Sequence, residues 1–375
     1  MVIGILKETG GENRVAMLPE AVSVLTKMSV TVLVEKDAGL RAYVSDSEYQ
    51  SAGAETAARS ELFTRCEMLI GINPPGEDDM AQMREKTVLL GVLNPYFNYG
   101  LVARLAKMNI TAFSLDVIPR TTRAQSMDIL SSMATVAGYK AVLTAANALP
   151  KFFPMFMTAA GTITPSKVLI LGAGVAGLQA IATSRKLGAV VEVFDVRAAV
   201  KEEVIGLGAK FVEVEGAIDD RSAGGYAVEQ SEEFKKKQAA AVHEHAVKSD
   251  VIICTAQIPG KQAPVLLKKE TVEAMKPGSI IIDLAASTGG NCELTRNAET
   301  VTHKGVRIIG NSFLPVDMPN DASKMFGKNV INFLKIMISP KGEFNLNWED
   351  DLVKGTCVAH GGEVTNERVK SLINA

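Results

Sequence analysis

Along the first third of the chain, short apolar runs alternate with amphipathic stretches. Runs at 2–6, 30–34, 68–72, 88–92 and 111–115 have the length of buried strands. Between them, 18–28, 47–52, 79–85 and 101–108 carry helical patterns, with Pro and Gly at several joints. This β-α-β-α rhythm predicts a mostly parallel sheet covered by helices. A second set opens at Val168. Runs at 168–171, 190–194, 211–214, 251–254, 280–283 and 306–309 are six strand candidates, the number a complete Rossmann sheet uses. Helical patterns over 128–149 and 322–338 flank this set and read as two crossings between domains. The expected fold is α/β: two Rossmann-like, doubly wound domains joined by two long helices, with a cleft between them. The first domain is discontinuous (1–126 plus 320–375) and the second spans 127–319.

Residues 168–195 read VLILGAGVAGLQAIATSRKLGAVVEVFD. Gly172, Gly174 and Gly177 follow a strand at the G-x-G-x-x-G spacing. The first makes the tight turn, the second lets the backbone approach a pyrophosphate, and the third allows close helix packing. The helix that starts at Val175 and Ala176 offers free N–H groups and a positive dipole end to phosphates. Asp195 stands at the tip of the second strand, about 20 residues on, where a carboxylate accepts from a ribose 2′-OH. Arg197 could signal a 2′-phosphate, but Asp195 beside it favours NAD. The stretch after the first run of the chain, KETGGENRVAMLPE, lacks this motif. The first domain is therefore expected to share the architecture without holding the dinucleotide.

Composition narrows the class. The chain has 375 residues, 47% hydrophobic and 22% charged, with a formal net charge of −2. That balance gives no reason to expect nucleic acid or an anionic membrane surface. Lys235, Lys236 and Lys237 sit among glutamates on a helical pattern and read as a solvated face. Cys66, Cys254, Cys292 and Cys357 are widely spaced and form no C-x-x-C pair, as in a reduced cytosolic protein without a zinc site. MVIGILKE is too short an apolar run for a secretory signal. No stretch approaches 18 uncharged apolar residues, so no membrane span is expected.

The segment 119–139, PRTTRAQSMDILSSMATVAGY, lies where the first domain hands over to the second. Arg120, Arg123, Gln125, Ser126, Asp128 and Ser131 crowd into a dozen positions before a helix. A capped helix start, with Ser126 or Thr122 as N-cap, accounts for Ser126 and Asp128. It does not account for Arg120 and Gln125.

RAQSMDILSS, GAGVAGLQAIATSRKLGA, FDVRAA, AGGYA, EEFKKKQ, PGKQAPVL, GSIIIDLA and GGNC together resemble the NAD(H)-binding component of proton-translocating nicotinamide nucleotide transhydrogenase. The likeness runs from ENRVAMLPE to GTCV, nearly the whole chain, and alanine dehydrogenase is the sister family. RAQSMD is the discriminating motif. The resemblance implies that Arg120, Gln125 and Asp128 orient a dihydronicotinamide, with Ser126, Met127 and Ser131 nearby. It further implies cofactor contacts from Val175 and Ala176, from Asp195, Val196 and Arg197, and from Gly225, Tyr226, Gln238, Thr255, Gln257 and Asp283. It implies NAD(H) on this chain and NADP(H) on a partner beta subunit, together with a membrane-spanning component. The chain would then be cytoplasmic, held at the inner face of the plasma membrane through those partners. Ala286 and Ser287 depart from the acid that the family often carries after the IIDLA strand.

An amino-acid dehydrogenase moves a proton with the hydride and needs a general acid or base, usually His. The four histidines, His243, His245, His303 and His360, all lie beyond residue 242. Where alanine dehydrogenase places a Lys and then a His, this chain reads GINPPGE and LGVLNPYFNY. Arg14 is common to both families. Transfer between two nicotinamides needs positioning rather than a protein acid. Alternatives are a stand-alone alanine-dehydrogenase-like enzyme and a non-catalytic NAD-binding module. Two further features carry expectations. The apolar arm 151–167, with Phe152, Phe153, Met155, Phe156 and Met157, is expected to reach a second copy in a homodimer. The loop 215–232, carrying Gly224, Gly225 and Tyr226, is expected to close over the cofactor.

Overall fold

Each set of apolar runs forms its own sheet. In the computed structural model, which describes residues 1–214, 216, 231–258 and 260–374, these sheets belong to two compact units. Met1–Met133 with Val316–Ala375 forms the first unit and Ala134–Pro315 the second.

The first unit holds an eight-stranded sheet. Its order is Glu363–Val364, Cys357–His360, Thr111–Ser114, Val88–Gly91, Met68–Ile70, Val2–Ile5, Thr31–Glu35 and Glu55–Ala57. The six from Thr111–Ser114 onward are parallel, and the two tail strands are antiparallel. One face packs Ile3, Ile5, Ile70, Leu90 and Phe113 with Phe326, Val330 and Phe333 of the helix Pro319–Leu334. The other face packs Leu33, Leu69 and Leu89 with Leu62 and Leu105. Burial on both faces is why these strands read as continuous apolar runs. The strand Glu55–Ala57 and the helix Arg59–Arg65 are not legible in the sequence, because a three-residue strand shows no alternation. The helix expected over 79–85 is reduced to Glu77–Met80.

The second unit holds a seven-stranded sheet, in the order Lys210–Phe211, Val190–Phe194, Lys167–Leu171, Val251–Cys254, Ile280–Asp283, Val306–Gly310 and Glu299–His303. The first six are parallel and, numbered along the chain, follow the Rossmann order 3-2-1-4-5-6. Glu299–His303 is an added antiparallel edge. Its residues are mostly exposed and polar, so it leaves no apolar run in the sequence. The order reverses at Lys167–Leu171, and the crevice at the carboxyl ends there is where such sheets bind ligands.

Helix Ile129–Ala148 is, by length and composition, apolar enough to cross a membrane. The expectation of no such stretch passed over it because Lys140 interrupts the uncharged run. Its apolar character is used at Ala141, Val142 and Ala145, which are fully buried in the core of the second unit.

Candidate functional site

The glycine turn is built from close contacts that a side chain would break. Gly172 has φ +102°, and a Cβ there would lie 2.6 Å from Thr255 Oγ1. A Cβ on Gly177 would come within 2.0 Å of the Gly172 carbonyl oxygen, so the helix Val175–Lys186 sits directly against the turn. Gly174 differs: a Cβ there would meet nothing within 4 Å. The space above it is open, as a backbone that receives a pyrophosphate requires. Val175, 41% exposed, begins the helix, and Ala176 follows it half-buried. Gly138, which the sequence alone does not single out, belongs to this frame. A Cβ on it would be 2.1 Å from the Ala176 carbonyl oxygen, so helix Ile129–Ala148 passes hard against the start of helix Val175–Lys186. Gly in a helix interior carries a penalty of about 1 kcal/mol relative to Ala, which is the signal that such a glycine has a packing reason.

The Asp195 carboxylate ties the second strand to this turn. Oδ2 accepts from the Ala173 amide at 2.7 Å, and Oδ1 accepts from the Arg197 amide at 2.8 Å. The Arg197 guanidinium closes on both oxygens, at 2.9 Å through Nε and 2.7 Å through its terminal nitrogen. Arg197 is thus an ion-pair partner of Asp195, and a ribose hydroxyl reaching Asp195 would have to share its oxygens. Val196 is half-buried against the core beside them. Thr255, at the end of the neighbouring strand, donates to the Gly172 carbonyl at 2.9 Å. Gln257 is exposed and donates to the Leu284 carbonyl, and Gln238 is half-buried on the helix Glu232–Ala246. Gly225 and Tyr226 lie outside the described residues, as does most of the loop 215–232.

Asp283 is completely buried. It accepts from the amides of Ala285, Asn291 and Cys292 and from the Thr295 hydroxyl. Those bonds make it an anchor for the loop after its strand, not a surface for a cofactor to touch. Asn291, equally buried, accepts from the Ala256 amide and donates to the Ala256 and Pro264 carbonyls. It holds the segment that carries Thr255 and Gln257. GGNC contained this residue, but only the fold shows what it holds. Ala286 is buried and Ser287 exposed in the turn between.

The junction segment lies in the first unit. Thr122–Met127 forms a 3-10 turn after Pro119, and the helix Ile129–Ala148 starts directly behind it. Asp128 caps that helix: its oxygens accept from the Ser131 amide at 2.9 Å and the Ser131 hydroxyl at 2.6 Å. The cap is therefore Asp128, not Ser126 or Thr122. Arg120, Gln125 and Ser126 are exposed. No hydrogen bond engages the Gln125 side chain among the described residues, which leaves an amide that can both donate and accept. Met127 is 5% exposed and packs in the core of this unit, so only its backbone could meet a ligand.

The histidines are elsewhere. His243 and His245 end the helix that leads into the amino end of strand Val251–Cys254. His303 pairs with Val306 at the amino end of its neighbour, and His360 Nδ1 lies 3.0 Å from the hydroxyl of Thr111, the first residue of its strand. His243, His245 and His303 are engaged by Thr271, Glu192 and Glu273 at 2.6–2.8 Å. Arg14 is held by Glu12 through two bonds of 2.7 and 2.6 Å. Burial pushes the thiols of Cys66, Cys292 and Cys357 up to about 11 and that of Cys254 well above its usual value, so none is a ready nucleophile. Among the described residues no group of three or more His, Cys, Asp or Glu could hold a metal ion.

Two family models cover the chain. One described as alanine dehydrogenase/PNT, N-terminal domain, matches residues 4–137, and its C-terminal counterpart matches 141–367. The chain belongs to the alanine dehydrogenase/PNT family. Within that family it is 45% identical over 376 residues to the first portion of the NAD(P) transhydrogenase alpha subunit of Rhodospirillum rubrum, covering 98% of each chain. It is 29% identical over 380 residues to alanine dehydrogenase of Bacillus subtilis, covering 98% of this chain and 94% of that one. The solved structure of transhydrogenase from Sinorhizobium meliloti matches with a TM-score of 0.89 and 41% identity, over 97% of this chain and all of that one. The expected two-domain α/β fold stands, and the chain resembles the transhydrogenase alpha subunits of the family more than its alanine dehydrogenases.

Proposed function

We propose that this chain binds NADH and presents its nicotinamide to NADP⁺ on a separate beta subunit for direct hydride transfer. A membrane-spanning component would couple that transfer to proton movement, and the chain would sit peripherally at the inner face of the plasma membrane. The observation that carries this reading is the placement of its histidines. His303 and His360 lie at the amino ends of parallel strands, and His243 and His245 lie in the last turn of the helix that leads into the amino end of another, away from the carboxyl ends where ligands bind. A dehydrogenase acting on an amine needs a positioned acid or base; two nicotinamides need only alignment, with their reacting carbons about 3–3.5 Å apart. The open backbone at Gly174 and the helix start behind it suit the pyrophosphate. When bound, the nicotinamide supplies the hydride, and Arg120, Gln125 and Asp128 are the groups proposed to orient its ring.

Mixing the purified chain with an NADP(H)-binding transhydrogenase component and following reduction of a nicotinamide analogue tests this reading. Transfer is expected, with no oxidation of alanine and no reductive amination of pyruvate by the chain alone. Steady turnover of either substrate would establish the dehydrogenase alternative, and tight NADH binding without transfer the non-catalytic one. NADH is expected to bind more tightly than NADPH, because a 2′-phosphate would meet the Asp195 carboxylate. Equilibrium dialysis of Asp195→Ala should show the ratio of the two affinities narrowing. The ratio is the readout, since losing the bond to the Ala173 amide weakens both.

The arm at 151–167 supports a homodimer. Strands Phe156–Thr158 and Gly161–Ile163 form a separate hairpin. Phe152, Met155, Phe156 and Met157 are 41–80% exposed, while Phe153 packs into the core of its own unit and anchors the base. Four of the five large apolar residues are thus left for a second copy. The neck is tied down: Ser166 donates to the Phe152 and Phe153 carbonyls, and Asp250 accepts from Lys151 Nζ and the Lys167 amide. Sedimentation is expected to give a dimer at micromolar concentration, and Phe156→Ser with Met157→Ser to give monomer. A wild-type monomer would remove this proposal.

A further inference from the structure

The junction turn is gripped by residues some 200 positions further along the chain, all within the first unit. The Ser126 carbonyl accepts two hydrogen bonds, from Asn329 Nδ2 and Asn332 Nδ2, both at 2.9 Å. These asparagines stand one turn apart on helix Pro319–Leu334, so their amides converge on one point. Asn329 is 6% exposed, and its Oδ1 has no hydrogen-bond partner. Rotating the amide would set that oxygen against the Ser126 carbonyl oxygen, so the donor orientation is dictated by chemistry. An apolar side chain would fill this position without leaving a buried oxygen unpaired, which packing alone would favour. The donated bond is what the asparagine supplies.

Two other grips lie along the same segment. Arg123 forms ion pairs with Asp350 and Asp351, and Asp350 caps the helix Asp351–Thr356. Gly355 on that helix lies so close to Pro119 that a Cβ would fall 2.3 Å from Pro119 Cγ. The held positions are 119, 123 and 126. Between and beside them, Gln125 is exposed and Asp128 caps the next helix.

We propose that Asn329 and Asn332 are positioning residues that lock the 3-10 turn through the Ser126 carbonyl and thereby set the pose of Gln125 and Asp128 toward the dihydronicotinamide. This rests on the reading that the junction loop orients that ring. Asn329→Leu removes the donor together with the unpaired oxygen, and Asn332→Ala removes the partly exposed donor. Thermal stability of Asn329→Leu is expected to equal or exceed that of the wild type, whereas a merely structural asparagine would lower it. In the ligand-free chain, exchange of the Ala124 and Asp128 amides, which close the turn, is expected to accelerate about tenfold or more in the double variant. With NADH bound, its dihydronicotinamide fluorescence anisotropy should fall while the dissociation constant stays within about twofold, and transfer to NADP⁺ should slow about tenfold or more. Wild-type exchange and wild-type anisotropy in the variants would overturn the proposal. Asn332→Ala alone gives the same readouts should the double variant not fold. If the wild-type chain itself transfers no hydride, the functional reading fails, while exchange in the ligand-free chain still decides whether the clamp exists.

Discussion

Gly174→Ala is expected to leave the protein folded and to remove most of its NADH binding, whereas Gly177→Ala should damage both. The two glycines differ in what surrounds them. A Cβ at 174 meets no atom within 4 Å, and the residue has φ −76°, which alanine adopts freely. Nothing in the chain itself therefore calls for glycine there. A methyl group at that point would occupy the space into which a pyrophosphate must come to reach the backbone amides. Because the phosphates contribute much of the anchoring at a helix start, a loss of about 100-fold in affinity, roughly 2.7 kcal/mol, is a fair scale for the effect. At 177 the methyl would stand 2.0 Å from the Gly172 carbonyl oxygen and 2.9 Å from its carbon. The helix must then back away from the turn, an overpacking that costs about 1–3 kcal/mol or more. Thermal unfolding with isothermal titration of NADH separates the two. Normal NADH binding by a stable Gly174→Ala protein would refute the pyrophosphate site.

Gln125→Asn should slow hydride transfer by about 100-fold while NADH affinity is nearly retained. The substitution keeps the amide and withdraws it by one methylene. Gln125 is exposed on a turn whose backbone is held from behind, so the side chain is free to reach a carboxamide while its base stays still. The proposed anchoring groups lie at the glycine turn, which the change does not touch. The hydride step depends steeply on the distance and angle of the ring, and binding does not. Stopped-flow transfer to bound NADP⁺, with NADH affinity measured in parallel, gives both quantities. A wild-type rate would exclude Gln125 from the reacting geometry, and a parallel loss of affinity would assign it to binding.

Much of the fold was legible because parallel sheets buried on both faces leave long apolar runs. The six Rossmann strands are legible that way, and the glycine turn by its G-x-G-x-x-G spacing. What escaped was short or exposed: Glu55–Ala57 has too few residues for a pattern, and Glu299–His303 lies at an edge where polar side chains are tolerated. The candidate site was legible where chemistry demands a residue type. The glycines and Asp195 stand out for that reason, whereas the Arg-Gln-Asp group is singled out by its resemblance to the family's junction motif. The resemblance places Asp283 and Met127 among or beside the cofactor contacts, but burial ties the Asp283 side chain to the loop behind it and that of Met127 to the core.

The sequence by itself determined the α/β class, the place of the glycine turn and the family, since each follows from local spacing and residue type. Only the tertiary structure decided what holds those parts in place. Gly138 is a lone helical glycine until Ala176 is found against it. Asn329 and Asn332 are two polar residues on an amphipathic helix until the Ser126 carbonyl is found between their amides. Arg197 is an ambiguous cation until its guanidinium is seen closed on Asp195. In the first two cases the partner is about 40 or 200 residues away; in the third the pairing depends on how two neighbouring side chains turn. Local pattern cannot report either, because such contacts arise from where the folded chain brings its backbone together.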